Sequence, residues 1–229
     1  MNRFFFSIIL LFIGVKLTAQ VDLTPRMNYP IKGEQYVIDY DTLNKIPRIV
    51  YYTIHNDKLG SYGRYSFHIE KLSNVSSPND YSYSGYDKGH LFSSASSNSY
   101  TSNYESFDMI NIAPQTANLN RGVWKASELF ERNNCDPYCY VICGTLIEDH
   151  KYISNKIRIP SGFFKVIYNP VKKQMIAFKF DKDSYGSLKD YVTTVDGIEG
   201  IINNDLFYQI PFIDQSILES KIDLSKWNF

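Results

Sequence analysis

The sequence predicts a single α+β domain built on a mixed, mostly antiparallel sheet, and three observations carry that expectation. Six short runs are rich in β-branched and aromatic residues, one longer run repeats its side chains at helical spacing, and no linker divides the 229 residues. With 44% hydrophobic and 21% charged residues, the chain has apolar material for one large core.

Residues 1–20, "MNRFFFSIILLFIGVKLTAQ", place Arg3 ahead of an apolar run from Phe4 to Val15, followed by small and polar residues. That order is a signal peptide's, and the run is short for a membrane span, so cleavage near Ala19 or Gln20 and export are expected. An uncleaved N-terminal anchor is the competing reading, because Lys16 interrupts the exit region. The expected domain then occupies residues 21–229, in a secreted or periplasmic protein.

The strand candidates are "PRIVYYTIH" (47–55), "RYSFHIE" (64–70), "FDMINIA" (107–113), "YVICGTLI" (140–147), "GFFKVIY" (162–168) and "QMIAFKF" (174–180). The last two flank "NPVKK", a hairpin turn. Residues 71–106, rich in Ser, Asn and Tyr, read as a long ordered loop, and long loops in compact domains tend to be functional. The clearest helix runs from Ala117 to Arg132. Cys135 and Cys139 flank a turn-forming Asp-Pro, which favours one short-loop disulfide with Cys143 buried as a small apolar residue; a metal site is the alternative, but no CxxC pair accompanies them.

Lys and Arg balance Asp and Glu at 24 each, and removal of Arg3 and Lys16 with the leader leaves 22 basic against 24 acidic residues. A general basic coat for nucleic acid is thereby excluded. Any phosphate-binding patch must be local.

Two features hold chemistry. In "GYDKGHLF" (85–92) an acid, a base, a glycine and His90 adjoin, although a lone histidine is more often a satisfied structural residue. On the helix, Asn120, Trp124, Glu128 and Arg132 recur every four residues and share one face. The plainer interpretation is a half-buried helix with Trp124 in the core and a Glu128–Arg132 surface ion pair. Asn120, however, lies in the first turn, where unpaired amides welcome phosphate oxygens.

"DKGH" (87–90), "NIAPQ" (111–115) and "NRGVWKASE" (120–128) occur in one order and at one spacing. The combination resembles the DNA/RNA non-specific endonuclease family, the secreted Serratia-type nucleases of the ββα-metal superfamily. With "SGYDKGH", "CGTLIED" and "IPSGFFKVI" the resemblance covers roughly residues 45 to 210. It implies a ββα-metal catalytic motif. His90, Glu128, Arg64 and Asn111 would be catalytic, Asp87, Lys88, Gln115 and Arg132 would serve substrate binding, and Asn120 would hold the metal. Lys88 stands where the family has arginine, which replaces a two-pronged phosphate grip by a point charge.

The chemistry that follows is hydrolysis of DNA and RNA phosphodiesters, with His90 as general base and Mg²⁺, or Mn²⁺ in its place, as the divalent ion. Eight helical residues span about 12 Å, so Glu128 should act through an intervening water and not as a second close ligand. Arg64 and Arg132 would brace the phosphate, Asn111 would orient the site, and Asp87 would also position the box backbone. Products would carry 5′ phosphates. No protein partner is implied, nor any membrane contact after cleavage of the leader. The rival class is an exported nucleic-acid-binding module of the same fold without catalysis, against which the retention of both His90 and Asn120 speaks. A toxin with an immunity partner is a third reading, but no delivery domain is visible.

Overall fold

A seven-stranded antiparallel sheet organises the chain in the computed structural model, which describes residues 21–154 and 156–229. The expected leader lies outside the described residues. In chain order the strands are β1 (Pro30–Lys32), β2 (Tyr36–Asp41), β3 (Ile46–His55), β4 (Asp87–His90), β5 (Ile112–Gln115), β6 (Tyr138–Leu146), β7 (Tyr152–Ile153), β8 (Ile157–Arg158), β9 (Gly162–Asn169), β10 (Gln174–Asp181) and β11 (Val192–Thr193). The helices are α1 (Tyr100–Ser106), α2 (Ala117–Leu119), α3 (Lys125–Asn134), α4 (Val195–Ile202) and α5 (Phe212–Leu218). The large sheet runs β1-β2-β3-β6-β9-β10-β11, while β4–β5 and β7–β8 are separate two-stranded ladders. Among the described residues no helix is long and apolar enough to cross a membrane.

The sheet is covered on both faces, and the two-residue alternation of its strands explains how. Along β9, Phe163 and Ile167 join the core that contains Trp124, Phe92 and Leu91, whereas Phe164, Val166 and Tyr168 join a second core with Ile198 and Phe207. β6 splits likewise, sending Val141 and Cys143 to the first and Tyr140 and Ile142 to the second. Full burial on both faces gives these strands near-continuous apolar runs, which is why sequence alone located them well.

Lys165 breaks the pattern, since it lies between Phe163 and Ile167 and is fully buried. Its Nζ lies 2.6 Å from Glu131 Oε2 on α3 and 4.7 Å from the centre of the Trp124 ring. Glu131 also accepts hydrogen bonds from Tyr52 Oη on β3 (2.9 Å) and from Ser96 Oγ (2.7 Å). One buried carboxylate thus ties helix, two central strands and a distant turn together. The far end of α3 is closed by the chain's last residues: Phe130 meets Trp227 and Phe229 at ring-centre distances of 5.7 and 4.7 Å, and Asn134 exchanges hydrogen bonds with the Asn228 backbone.

Three local expectations are corrected. Residues 64–70 are not a strand; only His68 forms a single bridge, to Asp108. Their alternation arises because Tyr65 and Phe67 pack one-sidedly on Tyr104 and Phe107. In 107–113 the ladder begins only at Ile112, because Asp108 caps a 3-10 turn over Met109–Asn111. Asp87–His90, expected inside a long loop, is a strand paired with β5, Asp87 opposite Gln115 and His90 opposite Ile112. The β9–β10 hairpin forms as expected, as does the Cys135–Cys139 disulfide, with Cys143 free and buried.

Removing one partner of a buried ion pair strands the other charge. Lys165→Met should therefore lower the unfolding free energy in urea by about 3–5 kcal/mol, and Lys165→Met/Glu131→Gln should lose less than Lys165→Met alone. A loss below about 1 kcal/mol would mean that Glu131 is not dependent on Lys165.

Candidate active site

β4, β5 and the helix that follows them form a ββα unit. The two strands pack closely because position 89 is glycine; a Cβ there would overlap the Gln115 side chain. At the end of β4, Trp124 Nε1 donates to the His90 carbonyl at 3.0 Å, so the buried indole fixes the histidine's backbone to the helix. That helix is not continuous. α2 leads into a wide turn over Asn120–Trp124, broken at Gly122, before α3 resumes. Wide turns of this kind recur at functional sites. Asn120 is not an unpaired first-turn donor as expected, because its backbone N–H bonds the Thr116 carbonyl at 2.9 Å.

The turn delivers the Asn120 side chain to β4. Its Nδ2 donates to Asp87 Oδ2 at 3.0 Å, while Arg121 grips the same carboxylate with Nε at 2.8 Å and an Nη at 2.7 Å. Arg121, and then the Asn120 amide, hold the Asp87 carboxyl below its usual range. Among the described residues nothing donates to Asn120 Oδ1, so the amide oxygen is left for an incoming ligand while its nitrogen is pinned. The Asn120 amide oxygen suits a hard divalent cation such as Mg²⁺, which takes few protein oxygens and keeps much of its own water, and Glu128 lines the same cleft.

The imidazole of His90 lies 5.3 Å from Phe67 and 5.0 Å from Phe107, and its Nε2 is buried without a hydrogen-bond partner. Burial, with the Arg64 charge adding to it, pushes its pKa down to about 4. Glu128 moves the other way: burial raises its carboxyl to about 7 against the pull of Lys165 and Arg132, with Glu131 adding repulsion. Lys88 Nζ reaches the Pro78 carbonyl at 3.5 Å and sits over the Phe67 and Tyr81 rings.

An open cleft of about 840 Å³ brings together Arg64, Asp87, Lys88, His90, Asn120 and Glu128. It leaves out three expected residues. Asn111 is fully buried and clamps the chain, accepting from Phe92 N at 2.8 Å and donating to the Phe92 and Ser106 carbonyls at 2.9 and 2.8 Å. It can order the site only through the backbone. Gln115 is also fully buried, under Gly89, and both atoms of its amide lack partners. Arg132 lies outside the lining, 3.5 Å from Ser96 Oγ, and reaches Glu128 only by its charge. Asp87, expected at substrate, is occupied by Arg121 and Asn120.

Arg121 and Lys125, which the sequence reading passed over, line the cleft too. Their four-residue spacing beside Asn120 was the available signal. The lining then carries four cationic side chains, Arg64, Lys88, Arg121 and Lys125, against Asp87 and Glu128. A chain of zero formal charge thus presents a locally basic cleft.

Comparison with known proteins agrees with this architecture. A family model described as DNA/RNA non-specific endonuclease matches residues 15–210. A nuclease of Nostoc sp. (strain PCC 7120 / SAG 25.82 / UTEX 2576) is 26% identical over 230 residues, covering 88% of this chain and 81% of that protein. Human mitochondrial endonuclease G is 31% identical over 103 residues, 38% of this chain but only 35% of its own length. In a crystal structure of the EndoG/EndoGI complex, a chain of 22% identity shares the fold with a TM-score of 0.72, covering 82% of this chain and 89% of its own. A family match over most of its length places the chain in the DNA/RNA non-specific endonuclease family, a family of hydrolases.

Proposed function

We propose that this protein is an exported endonuclease that hydrolyses DNA and RNA backbones at the β4–helix cleft, using a water deprotonated by His90 beside a Mg²⁺ ion held by Asn120, and leaving 5′ phosphates. The observation that carries the reading is the pairing of a neutral, desolvated imidazole with an amide oxygen left without a donor, both in one basic cleft. The order of charge, apolar run and small residues at positions 1–20 supports export, and residues 21–229 would act as one domain.

The residues divide the work. His90, kept uncharged by its apolar walls, accepts the proton of the attacking water. Phosphodiesters repel nucleophiles, and Arg64, Lys88, Arg121 and Lys125 offset that charge as substrate enters. Asp87 holds the Asn120 amide in one orientation, and Glu128 orients water between helix and substrate. When bound, Mg²⁺ would supply Lewis-acid stabilisation of charge on the phosphate and leaving oxygen. Arg132 acts from outside the cleft through its charge on Glu128, while Asn111 and Gln115 support β4 and β5 from behind.

The pH behaviour follows from the depressed His90 value. Its folded pKa of about 4 lies below the roughly 6.5 of an unfolded histidine, so the base stays neutral, and available, well into mild acid. The sign for stability is the reverse: protons favour the unfolded chain as pH falls from about 6.5 to 4, and the effect vanishes above that window. Ring chemical shifts of His90 in metal-free protein should stay constant from about pH 8 to 5.5; a midpoint near 6.5 would contradict the buried, unpartnered ring.

His90→Ala removes the acceptor and leaves the cationic lining, so single-turnover cleavage should slow at least about a hundredfold with affinity for a DNA duplex nearly unchanged. Normal turnover with weakened binding would make His90 a substrate contact.

Attack by water needs no 2′ hydroxyl, and grips on phosphate carry no direct sequence information. Matched single-stranded DNA and RNA oligomers should both be cut to 5′-phosphate and 3′-hydroxyl ends, and EDTA or Asn120→Ala should abolish cleavage of both. RNA-only cleavage, 2′,3′-cyclic ends, or full activity in EDTA would each overturn the mechanism.

A further inference from the structure

Across the sheet from the cleft, acidic residues gather where no catalytic role reaches them. Asp196 and Glu199 stand on α4 and Glu219 caps the end of α5. One carboxylate oxygen from each lies within 4.8 Å of the other two. Asp205 stands nearby, its Oδ1 accepting from Gln215 Nε2 at 2.8 Å. Glu219 is only 4% exposed, yet its Oε1 is buried with no hydrogen-bond partner. The backbone presses the groups together: Asp196 N donates to the Glu219 carbonyl at 3.2 Å, and Leu206 N donates to Glu199 Oε1 at 2.7 Å. An unpaired buried carboxylate oxygen beside like charges is costly, and one cation within the triangle removes both costs.

We infer that Asp196, Glu199 and Glu219 form a binding site for one Ca²⁺ ion, separate from the cleft, which clamps α4 to the end of α5. Oxygen-only donors and the lack of histidine or cysteine favour a hard cation over zinc. Calcium accepts irregular arrangements at about 2.3–2.6 Å, so oxygens up to roughly 4.8 Å apart can share one ion. Asp196 is exposed, which leaves the coordination sphere open to the waters that complete six to eight ligands.

The test is thermal unfolding of the full chain, stripped of metal and then titrated with CaCl₂ alone. Millimolar Ca²⁺ should raise the Tm of wild type by roughly 5 °C or more, with a smaller shift from equal Mg²⁺. Asn120→Ala should keep the calcium shift, whereas Glu219→Gln and Asp196→Asn should each lose most of it. Should Glu219→Gln fail to fold, Asp196→Asn, at an exposed position, carries the comparison. Absence of a shift in wild type, or a shift kept in Asp196→Asn and lost in Asn120→Ala, overturns the site.

Discussion

Glu131 is the point on which the rest of this structure leans. Its carboxylate, shut away from water, collects a lysine from β9, a tyrosine hydroxyl from β3 and a serine hydroxyl from the turn at Ser94–Ser96. A buried charge tolerates little displacement, since any slip of α3 along the sheet would leave donors or acceptors empty. Glu128 stands one turn earlier on the same helix, and Trp124, beneath Lys165, is bonded to the His90 carbonyl. The register of the helix, the height of the indole and the placement of the histidine are thus settled by one polar knot.

The cleft shows how environment divides labour among ordinary side chains. His90 and Glu128 both meet a poorly solvated surrounding, and that surrounding keeps the first neutral and drives the second toward protonation. Asp87 escapes this fate because Arg121 grips it from the solvent side. The excess of cationic residues is confined to a few side chains of the lining, and Arg121 among them is already paired with Asp87.

Sequence reasoning captured what depends on side-chain type and missed what depends on partners. The doubly buried strands β3, β6, β9 and β10 were legible from their apolar runs, and the ordered motifs named His90, Asn120 and Glu128, which the structure places in one cleft. β4 was not, because its four residues are polar or glycine and its pairing with β5 lies more than twenty positions away. Asn111 and Gln115 carry no mark in the chain that distinguishes a buried backbone clamp from a cleft-lining amide. Arg121 and Lys125 line the cleft beside Asn120 and Glu128, whereas Arg132, one turn past Glu128, does not. Lys165 was visible as a lone charge in "GFFKVIY", but its partner on another element was not.

The packing of Trp227 and Phe229 against Phe130 gives the carboxyl-terminal residues leverage over the helix that bears Glu128. For anyone preparing this protein, residues 227–229 are therefore a sensitive place to attach an affinity tag. A fusion appended after Phe229 would pull on aromatic rings seated behind α3 and on the Asn134–Asn228 contact. The loss would register as poor turnover in a molecule whose cleft residues are all intact.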